Sequence, residues 1–166
     1  VGGKESNRHT HKKTKGSGAR GTAAKIPVLG MRQRAGKTKL MPVEDTSRST
    51  LSREIHNNVE MGSIIYTDEH AGYDKLGKDF YHWTINHSEG EYVRNGVSTN
   101  SIESVWAVMK RGIYGVYHHA SPKHLHRYAD EYAWRLNEGN VKRHTLERLG
   151  SFVDGVAGKR LTYKML

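Results

Sequence analysis

The chain has 166 residues, of which 35% are hydrophobic, with no cysteine and a formal charge of +10. That length suits one domain with a real core and is short for two. The lack of cysteine excludes disulfides and a cysteine zinc ribbon within these residues and fits a reducing cytosol, and no apolar run reaches the roughly 18 residues of a membrane span. Charge is distributed unevenly. Residues 1–40 hold eleven lysines and arginines against Glu5 alone, whereas residues 41–166 hold sixteen of each sign. A basic arm of this kind points to an anionic polymer as partner, because each neutralised phosphate releases counterions.

In chain order, residues 1–24 are rich in Gly, Lys, His, Thr and Ser and read as a basic flexible segment with no leader peptide. Ile26–Gln33 and Thr38–Val43 read as two strands joined by Arg34-Ala35-Gly36-Lys37, a hairpin centred on glycine. Asp45 or Thr46 can cap a helix through about Asn58, with Leu51, Ile55 and Val59 inward. Ser63-Ile64-Ile65-Tyr66-Thr67-Asp68 reads as a buried strand with a carboxylate at its tip. A short helical piece around His70–Leu76 and a strand near Tyr81–Asn86 follow, and residues 87–98 form a loop with two glycines. A helix capped by Ser98 or Thr99 carries Ile102, Val105, Trp106 and Met109 at i, i+3, i+4 and i+7, and Gly112 can end it. Ser121-Pro122 opens another helix to about Asn137, with Leu125, Ala129, Tyr132, Ala133 and Leu136 inward. Residues 139–166 should add one helical tail. The order β-β-α-β-α-β-α-α predicts an α/β domain over residues 25–138, a mixed sheet covered by helices.

Asp68 and Glu103 are the residues that suit chemistry best. One carboxylate stands on a strand tip, the other on a later helix, and Lys110 lies two turns beyond Glu103. Carboxylates so placed can clamp divalent cations for phosphoryl transfer, and Mg²⁺ or Mn²⁺ suits oxygen ligands. The same acids read equally as a surface glutamate and a turn-capping aspartate. Gly36-Lys37-Thr38 is not a phosphate loop, because the pattern needs glycine where Met31 stands. The run Tyr117–Arg127 holds His118, His119, His124 and His126 beside Lys123. It matches no standard zinc set and reads better as a basic, hydrogen-bonding surface near phosphates. Nothing around Ser88 forms a nucleophile elbow.

The strings Tyr66-Thr67-Asp68-Glu69-His70-Ala71-Gly72-Tyr73, Ile85–Val93, Thr99-Asn100-Ser101-Ile102-Glu103 and Lys110–His119 resemble bacterial insertion-sequence DDE transposases. So do Ser121–Leu125 and Gly158–Tyr163. The group resembled carries a zinc ribbon ahead of a ribonuclease-H-like, or retroviral-integrase-like, catalytic domain. The resemblance implies a two-metal strand-transfer enzyme in which Asp68 and Glu103 are the second and third acidic ligands and Lys110 contacts DNA near the cleaved phosphate. It implies DNA as partner, both element ends and target. Lys12, Lys13, Lys15, Arg20, Arg111, His118, His119 and Lys123 are the candidate contacts. It further implies homo-oligomers on DNA, no nucleotide cofactor, and a bacterial cytoplasmic, nucleoid-associated setting. The group's first Asp precedes a Gly-Gly-Lys motif that matches Gly2-Gly3-Lys4, so on this alignment it falls before Val1. The first strand is then incomplete or missing and the chain is inactive by itself. Two alternatives stay open: a catalytically dead DNA-binding remnant, and a nuclease of the same fold that hydrolyses without joining strands.

Overall fold

The computed structural model describes residues 25–85, 100–118, 120–139 and 143–159. The basic segment 1–24 and the loop 87–98 lie outside them. Strands β1 (Val28–Arg32) and β2 (Thr38–Pro42) form the expected antiparallel hairpin, with Leu29 facing Met41 and Gly30 facing Leu40. Helix α1 spans Arg48–Asn58. Its cap is Ser47, whose side chain accepts from the Thr50 N–H, while Asp45 accepts from the Ser47 N–H at 2.9 Å. Strands β3 (Ile64–Thr67) and β4 (Tyr81–Thr84) pair in parallel. Two single 3₁₀ turns, Ala71–Tyr73 and Leu76–Lys78, make the crossover between them. Helix α2 (Asn100–Gly112) runs on as a π-helical turn, Ile113–Tyr117, and α3 (Leu125–Glu138) and α4 (Thr145–Val156) complete the chain.

Alternation along the hairpin organises the core. Val28 and Leu40 point to one side, where Val105, Met109, Ile113, Leu125, Ala129 and Tyr132 of the α2–α3 region meet them. Leu29, Met31 and Met41 point to the other, against Leu51 of α1 and Tyr73. The hairpin is thus the middle layer between α1 and the α2–α3 pair, as the period of two along a strand requires. Gly30 is the close-approach point, since a Cβ there would stand 2.5 Å from the Trp106 ring.

The structure departs from the sequence-based expectation in three places. The described strands form two separate two-stranded sheets, β1–β2 and β3–β4, instead of one mixed sheet. Strand β3 is not buried: Ile64 is 61% exposed, and only Thr67 is enclosed. The cap of α1 is Ser47 instead of Asp45 or Thr46, because its hydroxyl is the one that reaches the Thr50 N–H. Gly112 is the last residue of α2, as expected, although the backbone continues with αR angles into the π turn and breaks at His118, where φ is 56°.

One tie holds the edge of the hairpin. The Asn137 side-chain amide accepts from the Thr38 N–H at 2.7 Å and donates to the Thr38 carbonyl at 2.9 Å. It satisfies an edge-strand peptide as another strand would. Asn137→Ala leaves both groups of a buried residue unpaired. It is expected to cost about 1–3 kcal/mol, read as a lower urea midpoint with an unchanged slope.

Candidate active site

Asp68 follows the last residue of β3 and is exposed, as the sequence anticipates for a strand-tip acid. Its Oδ1 accepts one bond, from the His70 N–H at 3.3 Å. His70 in turn caps the first 3₁₀ turn by accepting from the Gly72 N–H at 3.0 Å. That turn folds Tyr73 and Asp74 back over the ends of β3 and β4. The result is an open pocket of about 310 Å³ lined by Asp68, Glu69, His70, Tyr73, Asp74, His82 and Thr84.

Parallel pairing of Ile65 with His82 and of Thr67 with Thr84 puts these four side chains on one face. It brings His82 Nε2 to 2.8 Å from Thr67 Oγ1, and that hydroxyl donates to the Asp68 carbonyl at 2.9 Å. The threonine has one proton and spends it on the carbonyl, so His82 donates from Nε2. Burial pulls the His82 pKa down, with the nearby Asp74 charge opposing it, which favours the neutral ring. Tyr73 titrates above its usual range, first from burial and then from the Asp68 charge. Sequence reasoning missed His82, Tyr73 and Asp74. The string His70–Tyr73 hinted at the turn, but nothing local marked His82.

Glu103 lies in the first turn of α2 and is exposed, and Lys110 lies seven residues on along the same side of the helix. Glu103 is not among the residues lining the Asp68 pocket. Among the described residues no three His, Asp or Glu side chains form a ready-made metal cage. The donors nonetheless suit a hard cation: Asp68 offers exposed carboxylate oxygens with a single weak bond on one of them, beside two more acids.

Of the expected nucleic-acid contacts, Arg111 is exposed at the end of α2, His118 is exposed after the π turn, and Lys123 sits in the 3₁₀ turn Pro122–His124. They follow one another along the α2–α3 connection. Lys12, Lys13, Lys15, Arg20 and His119 lie outside the described residues. The connection is pinned from below by Tyr117, which donates to Glu131 at 2.8 Å and packs edge-on against Tyr128. That bond, with burial, pushes the phenol up to about 12.

The fold and site define an α/β domain presenting a strand-tip carboxylate on an open acidic pocket, with a lysine- and arginine-bearing helix end elsewhere on its surface. The chain belongs to the family of the ISXO2-like transposase domain, whose model matches residues 1–137, and so to the insertion-sequence transposases. A transposase-like protein of Haemophilus influenzae is 31% identical over 107 residues, covering 64% of this chain and 85% of the relative. A protein in transposable element ISH50 of Halobacterium salinarum is 30% identical over 97 residues, covering 55% of this chain and 33% of that protein. No solved structure matches the chain. None of the helices described is long and apolar enough to cross a membrane.

Proposed function

We propose that this domain cuts and joins DNA strands at insertion-sequence ends by DDE-type phosphoryl transfer, on a ribonuclease-H-like framework. The observation that carries the reading is the exposed Asp68 carboxylate on its pocket, within a stretch that matches a transposase domain from residue 1 to residue 137. Asp68 and Glu103 are two of three carboxylates that hold Mg²⁺ or Mn²⁺. Such ions, when bound, stabilise the attacking and leaving oxygens of an in-line displacement. Lys110 meets the DNA near the cleaved phosphate. Arg111, His118, His119 and Lys123, with the arm residues Lys12, Lys13, Lys15 and Arg20, hold the backbone through salt-sensitive contacts.

The test is made on the complete product of the gene with element-end DNA. Nicking should require Mg²⁺ or Mn²⁺ and stop with EDTA, and joined strand-transfer products should appear with target DNA. Cleavage that is indifferent to chelation would sink the metal-dependent reading. Metal-dependent nicking without joined products would instead make the domain a nuclease.

A further inference from the structure

Asp68 stands one residue past the β3–β4 ladder, whose last rung among the described residues runs from the Ile85 N–H to the Thr67 carbonyl at 3.0 Å. Its carboxylate is exposed and accepts a single bond of 3.3 Å, too long to hold it firmly. What aims the carboxylate is therefore the peptide behind it. Thr67 is buried, at 8% exposure, and its hydroxyl donates to the Asp68 carbonyl at 2.9 Å. Ile65 pairs with His82 and Thr67 with Thr84, so His82 lies diagonally across the ladder on the same face. Its Nε2 reaches the same hydroxyl at 2.8 Å.

The tautomer of His82 decides which way this chain of bonds runs, because a threonine hydroxyl has one proton. With its hydrogen on Nε2, the ring donates, and the Thr67 proton goes to the Asp68 carbonyl. With its hydrogen on Nδ1, the bare Nε2 would take the Thr67 proton, and the Asp68 peptide would lose its hold. Strand pairing needs none of this, since the ladder already joins β3 and β4.

We propose that His82 is a positioning residue: through Thr67 it holds the Asp68 peptide so that the carboxylate faces a divalent cation in the pocket. The proposal rests on the reading of Asp68 as a metal ligand. His82 lines the same pocket, but its Nε2 is spent on the hydroxyl, so that nitrogen supports the ligand and is not one itself. Groups that orient a metal ligand through hydrogen bonds are worth about ten- to a hundredfold in metal affinity or activity.

Two measurements test this without relying on cleavage. In the 166-residue chain, nitrogen NMR at neutral pH should show His82 with its hydrogen on Nε2, and Thr67→Val should shift the Asp68 carbonyl-carbon resonance. In the complete gene product, Mn²⁺ binding is followed by the electron paramagnetic resonance of the free ion. It should weaken at least about tenfold in His82→Ala and in Thr67→Val. His82→Gln, whose amide can donate from near the place of Nε2, should recover most of that affinity, as should Thr67→Ser. Misfolding would instead lower the number of Mn²⁺ sites and leave their affinity unchanged, with no recovery by glutamine. A ring with its hydrogen on Nδ1 alone overturns the proposal. So does His82→Ala binding Mn²⁺ as tightly as the unaltered protein while Asp68→Asn does not. If Asp68→Asn also binds Mn²⁺ unchanged, the reading of Asp68 as a ligand falls, and the proposal with it.

Discussion

Asp68→Asn is expected to lower metal-dependent DNA cleavage by at least about a thousandfold in the complete gene product, while leaving its melting temperature unchanged. The size follows from what is removed. A bound cation contributes several kcal/mol of charge stabilisation to phosphoryl transfer, and each 1.36 kcal/mol is a factor of ten in rate. Asparagine keeps the shape and the acceptor for the His70 N–H but loses the anionic charge that holds the cation. Stability should hold because Asp68 is exposed and its carboxylate accepts just that one long bond. A local readout accompanies the activity loss. Tyr73 titrates high partly because of the Asp68 charge, so its pKa should fall toward its usual value in the variant, followed by ultraviolet absorbance. Glu103→Gln should match the loss of cleavage without moving Tyr73. Wild-type cleavage by either variant would mean that the carboxylates are not the metal ligands.

What the sequence discloses here is set by how local each determinant is. The hairpin is legible because a glycine-centred turn and period-two alternation both lie within fifteen residues. The α2 stripe is legible because i, i+3, i+4 and i+7 positions share a helix face, and Val105 and Met109 are indeed buried. Asp68 stands out because it closes an apolar run. The determinants that were not legible act across the fold. His82 reaches Thr67 only once two parallel strands fall into register, and Asn137 reaches Thr38 from 99 residues away. Helical periodicity gives α4 an apolar face but no direction, and the face turns out to point away from the body. The burial expected for β3 fails for a related reason: an apolar run states a preference for cover, not which element provides it.

Gly112 shows how a local rule can give the right residue the wrong reason. Glycine near a helix end suggests a left-handed cap, yet its φ is −68° and ψ −44°, ordinary helical values that any residue adopts. The requirement is one of space. A Cβ on Gly112 would stand 1.4 Å from Tyr132 Oη and 2.4 Å from its Cζ, and Tyr132 is a buried member of the main core cluster. Tyr132 cannot simply swing aside, since its ring packs edge-on against Tyr117, whose own hydroxyl is tied to Glu131. Gly112→Ala must therefore push α2 from α3 or eject the tyrosine. The gain of about 1 kcal/mol in helix propensity does not offset an overpacking cost of about 3 kcal/mol or more at so short a contact. The expected result is a net loss of at least about 2 kcal/mol, seen as a lower denaturant midpoint. Tyr132→Phe in the same chain should restore part of it, because the nearest clashing atom is the hydroxyl oxygen. A double-mutant cycle should then show coupling of at least about 1 kcal/mol between the two positions. Additive effects would mean that α2 yields at no cost, and that glycine here reflects propensity alone.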